Sequence, residues 1–148
     1  MHRLRSKIVL IAWLSIILGS SLSAQRPSAS YVAGDWIAYE EGLNAVIVKL
    51  YTKRGKLYGM IQNLFGDFPA RCSICKGSRH NRRIIGMRII RGLTWSKGRW
   101  RGKVLYPTED KWYPCSLWRH GSKLMVEVCT MGQCRQREIK RYRPRRDV

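Results

Sequence analysis

Ala45-Val-Ile-Val-Lys-Leu-Tyr-Thr-Lys53, then Arg54-Gly55, then Lys56-Leu-Tyr-Gly-Met-Ile-Gln-Asn-Leu-Phe65 reads as two strands joined by a tight turn. Apolar and polar residues alternate with period two on both sides of a turn pair, which is the pattern of a half-buried hairpin. Lys49 marks the wet face of the first strand, so Val46, Val48 and Leu50 point inward. The same pattern extends in both directions. Further strands are predicted at Asp35–Tyr39, Ile84–Arg91, Arg99–Tyr106, Lys111–Arg119, Lys123–Thr130 and Arg135–Tyr142. Their connectors carry turn chemistry at Glu41-Gly42, Lys97-Gly98, Pro107–Asp110, His120–Ser122 and Met131-Gly132. Residues 66–83 alone are long enough for a true loop, and no helix-period stretch of strand-replacing length appears.

Alternation also sorts the remaining strands by face. Arg101 and Lys103 are outside, which leaves Trp100 and Val104 inside. Glu127 is outside, so Leu124, Val126 and Val128 face in. The same reasoning turns Leu57, Ile61, Met87, Ile89, Tyr113 and Leu117 inward. Eight antiparallel strands with one apolar face either stack as a sandwich or close as a barrel. A barrel of that size is just wide enough to be filled by side chains or to hold one small ligand.

Outside the strands, the chain begins with Arg3, Arg5 and Lys7, then an apolar run from Ile8 to Leu18, then the small residues Gly19–Ala24. That order is the one a secretory signal takes, and a bilayer-spanning helix would need roughly 20 apolar residues. Residues 1–24 are therefore expected to be a cleaved signal peptide, 25–33 a linker, 34–142 the β-domain and 143–148 a basic tail. The expected location is the periplasm or the medium of a Gram-negative bacterium.

The whole chain holds 29 Lys and Arg against 9 Asp and Glu in 148 residues, a formal charge of +20. Few carboxylates and three His leave little for acid/base catalysis. No nucleophile elbow, zinc-protease motif, phosphate loop or EF-hand is present. His80 lies in a basic loop and His120 in a tight turn, so no catalytic residue and no enzyme activity is expected, with thiol redox or metal-dependent activity at the Cys72–Cys75 loop as the weaker alternative.

All five cysteines lie beyond residue 71. Cys129 and Cys134 flank the Gly132 turn and are expected to pair. Closing so short a loop is worth about 2 kcal/mol in the chain-entropy description. Cys72 and Cys75 pair locally, or one of them bridges to Cys115, and an odd number leaves one thiol over. A Cys72, Cys75, His80 and Cys115 zinc set has one proper half-site but lacks the second, so no metal or other cofactor is expected.

Gly34-Asp-Trp36, Gly55-Lys-Leu-Tyr-Gly59, Ile85-Gly86-Met87 with Gly92-Leu93, Trp100-Arg-Gly102, Tyr113 with Cys115, and Cys134-Arg135 occur in an order that resembles domain of unknown function 2147, a bacterial envelope family. The resemblance covers residues 34–142. It implies a lipocalin-like, calycin-type up-and-down antiparallel barrel in an exported protein, and it implies no activity. The turn at Pro107 to Lys111 lacks the glycine that such relatives usually place there, with Asp110 nearby instead. Gly34-x-Trp36 looks like the element that closes one end of lipocalin-type barrels. There a basic side chain of the last strand covers the indole, a contact of ~0.5–2 kcal/mol. Arg135 or Arg137 is expected to supply it.

Two functional expectations follow. The first is non-enzymatic binding of a small apolar or lipid-like ligand, lined by the inward set named above. The second is a filled, ligand-free core with a basic exterior that contacts anionic lipid headgroups. Trp112 and Trp118, if outward, suit such an interface. Nucleic acid is the poorer partner, because export would keep it out of reach.

Overall fold

The computed structural model describes residues 31–40 and 44–144. The expected signal peptide, the Glu41-Gly42 turn and most of the basic tail lie outside these residues. Eight strands form one closed antiparallel barrel in which each pairs with its sequence neighbours and the last returns to the first. They are β1 (Gly34–Tyr39), β2 (Ala45–Lys53), β3 (Lys56–Phe65), β4 (Arg88–Ser96), β5 (Arg99–Tyr106), β6 (Lys111–His120), β7 (Lys123–Thr130) and β8 (Gln133–Arg141). The choice between sandwich and barrel is thus settled by the pairing of Trp36 with Arg141 and Ile37 with Lys140.

Up-and-down topology divides the connections between two ends. One end carries the start of β1, the end of β8 and the short turns β2–β3, β4–β5 and β6–β7. The other carries the end of β1, the start of β2, the loop 66–87, and the turns β5–β6 and β7–β8. The turns Arg54-Gly55, Lys97-Gly98 and Met131-Gly132 place both residues at positive φ, the mirror-image turn that matches strand twist. Asp110 also takes a positive φ, of 50°. Asp tolerates that region better than most residues do.

One strand departs from the sequence reading. β4 runs from Arg88 to Ser96, whereas alternation placed it at Ile84–Arg91. Ile84 to Met87 instead form a turn closed by the Met87 N–H on the Ile84 carbonyl, 3.0 Å. Gly92, one residue beyond the expected strand end at Arg91, sits at φ 67° inside the strand, within the stretch where the β4–β5 register shifts. A bulge absorbs one extra residue without ending the ladder, so Leu93 and Trp95 continue the strand. Leu93 then fills the space over Gly102, where any β-carbon would lie 2.5 Å from its side chain.

The core is a single cluster running from Val32 and Trp36 through Leu50, Leu57, Leu93, Leu117 and Leu124 to Ile139. Cys72, Cys75 and Ile84 of the long loop belong to the same cluster. Ile89 and Ile90 are sequence neighbours and both are buried, as are Val104 and Leu105. Strict alternation leaves one of each pair in water. The 66–87 loop adds a second layer on this side and takes up the other member. Ile47 is buried as well, although the pattern around Lys49 assigns it outward.

Candidate functional site

The barrel is solid at one end. Trp36 is fully buried and its indole N–H donates to the Val32 carbonyl, 2.8 Å. Tyr31–Ala33, the end of the stretch read as a linker, thus packs under the barrel. The guanidinium over the Trp36 ring belongs to Arg141, 4.3 Å from the ring centre, with Arg119 at 5.1 Å. This corrects the sequence pairing of Trp36 with Arg135. Arg135 lies opposite Val128, and the six residues from it to Arg141 span roughly 20 Å of strand. Arg137 is no closer in function, since it reaches Glu40 at 3.0 Å. Above Trp36, Leu50, Leu57, Leu117 and Leu124 are buried, and Trp100 packs edge-on against Trp95 at 5.5 Å.

Burial is graded along the barrel. Of the inward residues expected from sequence, Leu50, Leu57, Ile61, Met87, Ile89, Trp100, Val104 and Leu117 are buried, Met87 from the loop rather than from a strand; Ile89 is buried on the opposite face, because the register pairs Ile90 with Gly59 and Val104. Val46, Val48, Tyr113, Val126 and Val128 are half-buried and pack against the same core, together with Ala38 and Leu64. Cross-strand pairing links them: Ala38 opposite Val46 and Val46 opposite Leu64, while Val128 is opposite buried Cys115. They form an apolar lining that water reaches, above an apolar floor that it does not.

Polar groups rim this lining. Tyr106 and Tyr113 meet edge-on at 5.3 Å, and the Tyr113 hydroxyl donates to Glu109. Desolvation, followed by the Glu40 carboxylate, holds the Tyr106 phenol above its ordinary range. The Glu109 contact does the same for Tyr113. Arg135 and Arg137 occupy β8 positions opposite Val128 and Val126, so both stand at the inner face near the rim.

The 66–87 loop borders the same end. Cys72 and Cys75 are joined by a disulfide, and Cys129 pairs with Cys134. Cys115 is the free thiol; burial pushes it up to about 12, so it stays protonated and unreactive at neutral pH. The loop is latched to the β5–β6 turn by Asp110, which accepts from the Lys76 N–H at 2.9 Å and from Arg79 at 2.7 Å. The Arg79 contact, with the Lys76 N–H, holds the Asp110 carboxyl below its usual range. His80 Nδ1 lies 3.0 Å from the Cys75 carbonyl oxygen. With Cys72 and Cys75 bonded to each other, neither sulfur is available as a thiolate ligand, and no cluster suited to a metal occurs among the described residues.

Residues 34–141 match the profile of a family described as an uncharacterized protein conserved in bacteria, DUF2147. The chain belongs to the DUF2147 family. Its barrel also superimposes on a solved structure, protein HP1028 from the human pathogen Helicobacter pylori, described as belonging to the lipocalin family. The TM-score is 0.64 at 16% identity, over 75% of this chain and 82% of that one. At that identity the likeness is one of fold. A search of curated proteins gives no significant match. The lipocalin-like closure that the family resemblance implied is present, with the covering arginine moved to the last residue of β8.

Arg119, Asp110 and the Glu40–Arg137 pair escaped the sequence reading. Each depends on contacts between residues far apart in the chain. Trp36 carried a local signal in Gly34-x-Trp36, but its arginine is set by the β1–β8 register, which no local pattern encodes.

Proposed function

We propose that this DUF2147 protein is a non-enzymatic binder of a small lipophilic ligand, held in the half-buried lining at the end of the barrel opposite Trp36. The gradient of burial carries the reading: Ala38, Val46 and Leu64 are cross-strand neighbours, Val126 and Val128 share one face of β7, and all five are apolar and partly exposed above a fully buried floor. Binding sites of this kind are concave, apolar and rimmed by a few polar groups. Here Tyr106, Tyr113 and Arg137 supply the rim, and they suit a ligand with an apolar body and a polar or anionic tip. The scattered chemistry supports a binder over a catalyst, since two cysteine pairs are oxidised and the free thiol is buried. We also infer export through the residues 1–24 signal into the periplasm or medium, which fits oxidised cysteines.

Native mass spectrometry of the chain purified from a bacterial periplasm tests this. The expected result is a discrete adduct in the lipid mass range that is lost on denaturation. Titration with the apolar dye N-phenyl-1-naphthylamine gives a second readout, and Val126→Trp should abolish dye binding by filling the lining. A bare mass with no saturable dye binding would overturn the proposal.

A further inference from the structure

The opposite end of the barrel holds a feature that ligand binding in the lining does not use. A cleft of about 370 Å³ is walled by Arg119, Ser122, Lys123, Lys140, Arg141 and Arg143. These residues come from the end of β6, the β6–β7 turn, the start of β7 and the end of β8, which the closed barrel brings together. Among the described residues no carboxylate lines it. The opposing charges that act on it among these residues are Glu138, paired with Lys123, and Asp35, which acts on Arg141 from a distance. Five described cations against these two leave an excess of three among the described residues.

The two guanidiniums at the base are held in place by other means than ion pairs. Arg141 donates to the Ala33 carbonyl at 2.7 Å, and Arg119 donates through Nη2 to the Gly121 carbonyl at 2.7 Å. Arg119 lies between the rings of Tyr31 and Trp36, at 5.2 and 5.1 Å. Its Nε and Nη1 are buried and have no acceptor among the described residues. Desolvation, then Arg119 and Arg143, pull the Arg141 group below its ordinary range. Like charges at close range without acceptors are costly, and a bound anion relieves that cost. A hydroxyl from Ser122 adds a neutral donor. Guanidinium forks with flanking lysines are side chains that bind phosphate oxyanions, the arginines through paired N–H groups and the lysines as point charges.

We propose that this cleft binds a phosphate-type oxyanion, either free or as the phosphate of a lipid headgroup. It is a second site, at the far end of the barrel from the lining, and stands independently of ligand binding there. It also concentrates the generally basic exterior into one place.

The test uses the mature chain and the variant Lys140→Gln/Arg143→Gln, which removes two exposed cations and leaves the Trp36 contacts intact. The control is Lys49→Gln/Lys103→Gln, which removes the same charge from exposed strand positions elsewhere. Calorimetry with inorganic phosphate and with pyrophosphate, at ionic strength held constant with chloride, reads the free anion. Co-sedimentation with phosphatidylcholine vesicles, with and without phosphatidic acid, reads the headgroup. The expected result is a single saturable site weakened about tenfold or more in the cleft variant and unchanged in the control, from the loss of charge-assisted contacts. Binding of phosphate in solution identifies the free anion as the source; binding confined to phosphatidic acid vesicles identifies the headgroup. No binding in either format, or equal weakening in both variants, overturns the proposal.

Discussion

Truncating one residue in the floor and one in the lining should have very different costs. Leu57 is fully buried, and Leu57→Ala removes three carbons from a site closed on all sides. Such changes cost about 3–5 kcal/mol, because the cavity term adds to the lost transfer energy. Val126 is partly exposed, and Val126→Ala removes two carbons with part of their surface already wet. At ~0.8 kcal/mol per buried methylene, the cost is about 1.2 kcal/mol. For a domain of this length each kcal/mol lowers the melting temperature by about 4 °C. Thermal unfolding followed by circular dichroism should therefore show a drop of roughly 12–20 °C for Leu57→Ala and about 5 °C for Val126→Ala. Urea titration gives the same comparison as free energies, provided the slope is unchanged. Equal costs at the two sites would mean that the lining is packed as tightly as the floor, and the graded interior would be refuted.

Three further outcomes are expected. Cys115 should react with a thiol reagent only on unfolding. Its folded value of about 12 lies above the ordinary 9.0, so the folded state keeps a proton the unfolded state loses, and stability should fall as pH rises through that window; Cys115→Ala should flatten this part of the profile in alkaline melts. Asp110→Asn should free the 66–87 loop, read as faster tryptic cleavage within Arg71–Arg83 with little change in melting. The wild-type latch should open in acid, because a carboxyl held below 3.8 keeps its contacts above that value and loses them as pH falls through its folded value. Cys129→Ser/Cys134→Ser should destabilise by about 2 kcal/mol in denaturant titrations, through the freed hairpin loop.

The strand order was legible because seven of the eight pairings join strands that follow one another in the chain. Ala45–Lys53, Lys56–Phe65, Arg99–Tyr106 and Lys123–Thr130 carry their own alternation and turn residues, and the structure keeps those bounds. β4 was not legible in this way. Its bulge at Gly92 breaks the period of two, and a broken period reads as a strand end. The candidate site was legible only in part. Alternation identified the inward faces, including Val126 and Val128, but not how deep each residue lies along the barrel. Depth follows from strand tilt and from the loop laid against one end. The basic cleft was visible only as diffuse charge, because its residues come from two segments, 119–123 and 140–143, that only the fold brings together.

The seam between β1 and β8 has a consequence of its own. Seven of the eight joints between strands connect elements that are adjacent along the chain, and a hairpin that opens there is returned quickly by its turn. The eighth, Trp36 opposite Arg141 and Ile37 opposite Lys140, joins segments about a hundred residues apart. It is reinforced by the Tyr142 N–H on the Asp35 carbonyl, 2.9 Å, and by the arginines over Trp36. The barrel thus behaves as a rolled sheet fastened by one clasp. Opening of the clasp exposes two complementary strand edges at once, and at high concentration those edges can find each other on different molecules. The indole and its guanidinium cover are therefore as much a guard against intermolecular strand exchange as a plug for the barrel.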